Sequence, residues 1–300
     1  RTFVRALIGL GELDRAEALV AEFEAEDTDE PGALRLRAYL ATVDPEVEEG
    51  VGPVIERLAN GATLDPADLD GLLALFEELH EPFVERSSER EWALHRQHVV
   101  LLLQSYRQRA LQGNDQTSWR DRCMADNARW ILRQGGAGAK LVLSAHNGHV
   151  SRAGLTQVEG YGAIESIGRA LGADAKSVKD ENLAMVVIGA ALGRGGFYAY
   201  GASGGGLQAF TVSEPRAEAQ EVPFLAAGLK LALIDLRAAP AGPVHDWFAS
   251  SRPLRFVGGT FAADWPAQGN DVQASVLTDE FDALFFAAEV TPARLLSPPK

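Results

Sequence analysis

A change of hydrophobic period part-way along the chain does most to limit what it can fold into. The first 118 residues hold no convincing strand; their apolar positions recur at helical spacing. Residues 1–26 read as a helical hairpin, with Phe3, Val4, Leu7 and Ile8 before a Gly9–Gly11 break and Leu19, Val20 and Phe23 after it. Asp65-Pro66 supplies a cap and a first-turn proline for a helix carrying Leu69, Leu72, Leu73 and Phe76. Glu89 to Ala110 predicts another long helix. From Lys140 onward, short apolar runs alternate with helical stretches. That alternation predicts an α/β fold, a mainly parallel sheet flanked by helices, joined to an N-terminal all-helical subdomain. The boundaries expected are a helical hairpin over 1–32, a helical subdomain over 33–118 and an α/β domain over 119–300. Leu141–Ala145, Val186–Ala190, Leu231–Leu236 and Leu284–Ala287 are expected in one sheet, and Thr211–Val222 in a polar loop.

Charge narrows the partners. A net charge of −14 and a pI near 4.9 argue against nucleic acid or an anionic membrane and leave a small-molecule substrate as the expected partner. No apolar run approaches the roughly 18 residues of a membrane span. The single cysteine, Cys123, rules out an internal disulfide and fits a reducing, cytoplasmic setting. The chain opens on Arg1 rather than Met, so it is expected to be part of a longer protein. Its oligomeric state is not legible.

The chemistry-bearing residues cluster between Trp119 and Ala153. Lys140-Leu-Val-Leu-Ser-Ala145 reads as a strand buried on both faces, and groups that act in open α/β sheets sit at the carboxyl ends of such strands. His146, Asn147 and His149 fall there. A metal reading of the two histidines needs a third protein ligand, which no nearby motif supplies, so neither metal nor cofactor is expected. The acid–base reading is better placed, because an imidazole near neutrality can take a proton from water or give one to a leaving alkoxide. His146 is the first candidate for that work and His149 the second. The structural alternative is a histidine that only caps the strand. Asn147 could donate to a developing oxyanion or simply stabilise the turn. Arg120 and Arg122 could place a carboxylate or ester carbonyl, or form a solvated helix start with Asp121 as an ion-pair partner.

The strings RDRCMADN, then W-I-L, then AKLVLSAHNGHV resemble the signature of the erythromycin esterase family of macrolide-inactivating hydrolases. The likeness continues through ESIGRALG, VVIGAALGRGGFYA, LIDLR, LRFVGG and FDALFFAAEVTPA, in the family's order, over roughly residues 92–294. The resemblance implies an α/β hydrolase of esterase type that cleaves an ester, lactone or related acyl bond with activated water and no cofactor. It implies His146 and His149 as catalytic residues, and Asn147, Arg120 and Arg122 as substrate-binding ones.

The resemblance also implies something that is not found. The family's N-terminal strand ends in Gly-Glu-x-x-His, whose Glu and His are central to water activation. The similar string here, Gly11-Glu12-Leu13-Asp14-Arg15, sets Arg15 where the histidine belongs, and arginine cannot act as a base. Two expectations follow: a hydrolase, or the C-terminal portion of one, or else a catalytically inactive relative that binds a small ligand or a protein partner.

Overall fold

The computed structural model of the chain describes residues 31–60, 62–63, 66–154, 164–174 and 184–294. The hairpin expected over 1–26, with Glu12 and Arg15, lies outside the described residues. The chain divides into two compact units: one extends to Gln116 and includes Leu132–Leu143, and the other comprises Thr117–Ile131 and the chain from Ser144.

The first unit is helical: α1 (Pro31–Val43), α2 (Pro45–Ala59), α3 (Pro66–Glu78), α4 (His80–Arg86) and α5 (Glu89–Ala110). Its helix starts follow the local chemistry. The Asp44 carboxylate accepts from the Val47 amide with Pro45 in the first turn of α2, and the Ser88 hydroxyl accepts from the Glu91 amide at the start of α5. Leu36, Leu40, Ile55, Phe76, Phe83 and Val99 form the centre of one core. Full burial of such a side chain contributes about 1.5–3 kcal/mol, so this core is ample to hold the helices together. A second helix as long as α5, α6 (Gly113–Gln134), gives its middle turns to the second unit.

The second unit follows as α7 (Asn147–Val150), α8 (Ile167–Asp174), β1 (Ile188–Gly201), β2 (Leu207–Val212), α9 (Val222–Ala226), β3 (Leu231–Asp235), α10 (Pro243–Phe248), β4 (Arg252–Arg255), β5 (Thr260–Phe261), α11 (Trp265–Gln268), β6 (Val272–Ser275), α12 (Leu277–Glu280) and β7 (Ala283–Val290). The main sheet runs β2-β1-β7-β3, with β5 also on β1. Pairing is parallel for β1–β7 and β1–β5 and antiparallel for β1–β2 and β3–β7, which makes the class α/β with a mixed sheet. On one face Ala191, Leu284 and Phe286 pack with Phe224, Phe248, Leu277 and Phe281. On the other, the row Ala190–Phe285–Leu233 runs across three strands and is exposed, with Phe285 at 44% and Leu233 at 64%.

Three of the four segments expected in one sheet are there, at β1, β3 and β7. Leu141–Ala145 is not. It forms no strand, and Val142 is 86% exposed. An apolar run marks a segment able to be a buried strand, but the ladder forms only where a neighbour takes its backbone groups. Beyond Ala190, β1 continues unbroken through Phe197–Tyr200 to Gly201. β2 reaches into the stretch expected to be loop, and the run at Leu254 pairs as β4 with β6 in a separate two-stranded sheet.

Candidate active site

The site turn, α7, is pinned on several sides. The Asn147 side chain grips the open edge of β1, its Nδ2 donating to the Ala190 carbonyl (2.7 Å) and its Oδ1 accepting from the Ala190 amide (2.8 Å). It thereby does for Ala190 what a neighbouring strand would do. Past the turn, the Arg152 amide donates to the Glu280 carbonyl (3.1 Å), and the Arg152 guanidinium pairs with Asp282. Asp282 also accepts from the Val187 amide (2.7 Å), so one carboxylate ties the turn to the start of β1. Gly168 lets α8 lie directly on α7, since a Cβ there would stand 2.0 Å from the Val150 carbonyl oxygen.

His146 caps this turn with its own ring. Its Nδ1 accepts from the Gly148 amide (3.2 Å) and its Nε2–H donates to the Val257 carbonyl (3.0 Å). The ring stands edge-on to Phe256, with centroids 4.5 Å apart. Burial holds the imidazole pKa below its ordinary value, outweighing the Val257 bond, which favours the cation, with nearby His149 also lowering it. The residue as a whole has an exposed edge, but its nitrogens face protein. The Val257 acceptor is positioned in turn by buried Arg255, whose Nη1 donates to the Gly193 and Ser213 carbonyls (2.8 Å each) and whose amide donates to Glu221 (2.7 Å).

His149 is held differently. Its Nδ1–H donates to Asp121 Oδ2 at 2.7 Å, and its Nε2 accepts from Arg120 Nη2 at 3.0 Å. Arg120 Nε also stands 3.6 Å from Asp121 Oδ1. Asp121 is only 1% exposed, whereas the His149 side chain retains 27% exposure and that of Arg120 44%. A buried carboxylate on Nδ1 with Nε2 towards the surface is the arrangement that fixes a tautomer and steadies an imidazolium.

Among the residues singled out from sequence, the fold therefore brings His149 and Arg120 together. Arg122 turns elsewhere, 4.0 Å from Glu165, and Asn147 is committed to β1 with one amide hydrogen to spare. The sequence alone gives Asp121 no role beyond an ion-pair partner of the arginines. A signal for it exists. Ser118, Asp121, Ala125 and Ala128 are buried at spacings of three and four along α6, so the carboxylate stands in a stripe of small residues. A charge on such a face needs a partner. α6 is steadied by Arg129, which donates to the Ala170 carbonyl (2.8 Å), and by the Ser118 hydroxyl, which accepts from the Glu165 amide (3.1 Å). Among the described residues, no group of three His, Cys, Asp or Glu stands close enough to hold a metal ion, and no helix is long and apolar enough to cross a membrane.

The erythromycin esterase family profile matches residues 24–290. The chain belongs to the erythromycin esterase family. That membership supports a hydrolase-like function at the level of the family. Solved structures share the fold: a Bacillus cereus protein at 18% identity and TM-score 0.74, covering 95% of this chain and 73% of its own. A succinoglycan biosynthesis protein matches at 18% identity and TM-score 0.67, over 88% of this chain and 62% of its own. A histidine-to-asparagine mutant of the erythromycin esterase EreC, in an open conformation, matches at 14% identity and TM-score 0.58, over 90% and 68%. At these identities the likeness is one of fold. No curated protein matches the chain.

Proposed function

We propose that this member of the erythromycin esterase family hydrolyses an ester or related acyl bond, with the Asp121–His149 pair moving the protons. The reading is carried by one observation, the 2.7 Å bond between His149 Nδ1 and a carboxylate that is 1% exposed. In this scheme Arg120, a long and half-exposed side chain, swings off Nε2 when substrate enters and places its guanidinium on the acyl carbonyl. His149 Nε2 takes a proton from water as the water oxygen adds to the acyl carbon. Asp121 stabilises the imidazolium, and Arg120 stabilises the oxyanion. When the tetrahedral adduct collapses, the C–O bond to the leaving group breaks and the alkoxide receives that proton from His149. His146 in this reading is a positioning residue that shapes α7. The family's Gly-Glu-x-x-His motif is not found among the described residues; the Glu77-x-x-His80 string follows Phe76 rather than Gly and lies where α3 meets α4, not at a strand end. The substrate class is left at acyl esters.

A specific feature favours a second reading, a silent relative that binds a small ligand. All four ring nitrogens of His146 and His149 are engaged in hydrogen bonds. Turnover of a panel of aryl and alkyl esters and macrolide lactones separates the two. The hydrolase reading expects activity that falls by about 10²–10⁴ in His149→Gln and in Asp121→Asn. Absent turnover selects the binding reading, and turnover untouched by both changes overturns the assignment of the chemistry to Asp121 and His149.

A further inference from the structure

A small pocket with a mainly apolar wall and a few polar atoms borders α7, where Asn147 and Gly148 form one side of it. Gln273 and Ser275 lie two apart on β6 and so share a face, while Leu254 stands opposite Gln273 on β4. Phe256, Ser151 and Glu280 complete the wall. Ser151, Ser275 and Glu280 are 1%, 2% and 7% exposed, while Gln273 and Asn147 are half-buried with the Gln273 Oε1 atom itself buried. The pocket is partly enclosed and has room for about one water-sized group.

The hydrogen-bond inventory says what that group is. Gln273 Oε1 and Ser275 Oγ are buried with no partner in hydrogen-bonding geometry. Glu280 Oε1 accepts from the Val276 amide (3.1 Å). Burial pushes its carboxyl above the ordinary range; the Ser275 and Ser151 hydroxyls stand near enough to favour the anion, but Ser275 Oγ and the carboxyl do not meet in hydrogen-bonding geometry. Leaving a buried acceptor and a buried hydroxyl unmatched costs free energy, so a guest that satisfies both is stabilised there. The Gln273 oxygen needs a donor. Ser275 can donate as well as accept, which suits a guest that does both. An ammonium group has no acceptor and a carboxylate has no donor, whereas a hydroxyl has each. Leu254 and Phe256 offer an apolar wall to the carbon that would carry such a hydroxyl.

We infer that the Gln273–Ser275–Glu280 pocket is a hydroxyl-binding site, taking water in the resting protein and the hydroxyl end of a short alcohol when one is present. The site stands independently of the proposed hydrolysis, although an alcohol is one product of cleaving an ester.

Ethanol is the probe. Titrated into ¹⁵N-labelled protein, it should move the Gln273 side-chain amide and Ser275 backbone amide signals with saturation. Ethylammonium chloride and sodium propionate at the same concentrations should leave both in place. Gln273→Leu should weaken half-saturation at the Ser275 signal by about tenfold, with the remaining spectrum unchanged. If that variant does not fold, Ser275→Ala supplies the same test, with the response read at Gln273. Crystals grown without alcohol should hold one compact density peak bonded to Gln273 Oε1; after an ethanol soak it should lengthen towards Leu254 and Phe256. The inference is overturned by shifts that never saturate, by equal shifts with the ammonium or carboxylate salt, or by an empty pocket in both crystals. Ethanol density in the soak without saturable binding in solution overturns it too. Because the titration involves no turnover, its failure leaves the Asp121–His149 reading untouched, and the reverse holds as well.

Discussion

Each unit of the molecule carries a pair of histidines three residues apart, and the two pairs have opposite fates. In the helical unit, His95 and His98 share one face of α5 with ring centroids 5.2 Å apart, and His95 stacks on Tyr39 at 4.1 Å. Both Nδ1 atoms are buried without a hydrogen-bond partner. Burial, helped by the Arg35 guanidinium, pushes each ring down to about 4, so both are packing groups kept neutral. In the sheet unit, His146 caps a one-turn helix that contains His149, and the same spacing there sends the rings to separate partners. One finds a backbone carbonyl and amide, the other a carboxylate and a guanidinium. Spacing alone does not distinguish a packing histidine from one hydrogen-bonded to a buried carboxylate. What distinguishes them is the partner on the second nitrogen.

The contrast can be broken by mutation, most strongly at the dyad. Asp121→Asn and His149→Gln are expected to lower kcat by about 10²–10⁴, while His95→Phe, which keeps the ring stack on Tyr39, leaves it unchanged. Equal losses from both pairs in steady-state assays would erase the distinction.

Acid should act next, and on the helical pair. Their folded pKa of about 4 lies below the ordinary 6.5, so the unfolded chain binds protons first as pH falls. Their contribution is fully present above pH 6.5 and is lost between there and about 4. It amounts to at most roughly 3 kcal/mol per ring, less for the half-buried His98. Urea unfolding across that range should show a smaller acid loss in a His95→Phe, His98→Leu variant than in the parent. An identical pH dependence would mean that the rings are already charged in the folded protein.

His146→Gln should cost about 1–2 kcal/mol through the lost Val257 and Gly148 bonds, while changing kcat less than tenfold. A loss as large as that of His149→Gln would restore His146 to the chemical role that sequence reasoning gave it first. The smallest effect belongs to His80, which meets Glu89 at 3.0 Å on the surface. Its change to Gln should alter stability by less than about 0.5 kcal/mol in thermal melts.

These contrasts also explain how much could be read from the sequence. The helices of the first unit were legible because their apolar positions, such as Leu72 and Phe76 or Val99 and Leu103, repeat at helical spacing over several turns. The strands β1, β3 and β7 were legible as apolar runs. β6, Val-Gln-Ala-Ser, is too short and mixed to announce itself, and β2 follows a glycine tract that reads as loop. Leu141–Ala145 has a strand's composition without a strand's neighbours, and composition does not report neighbours. At the candidate site, the histidines and Arg120 were legible through their motif, but the partner each ring meets was not. His149 meets Asp121, 28 residues away, and His146 meets Val257, 111 residues away.

The tautomers of the two site histidines test the central claim most directly. Long-range ¹H–¹⁵N correlation spectra of the intact protein at neutral pH should place the His149 proton on Nδ1, facing Asp121, and the His146 proton on Nε2, facing Val257. Asp121→Asn should then disturb the first assignment and leave the second in place. A His149 proton on Nε2, or one that ignores the loss of the Asp121 charge, would contradict the dyad.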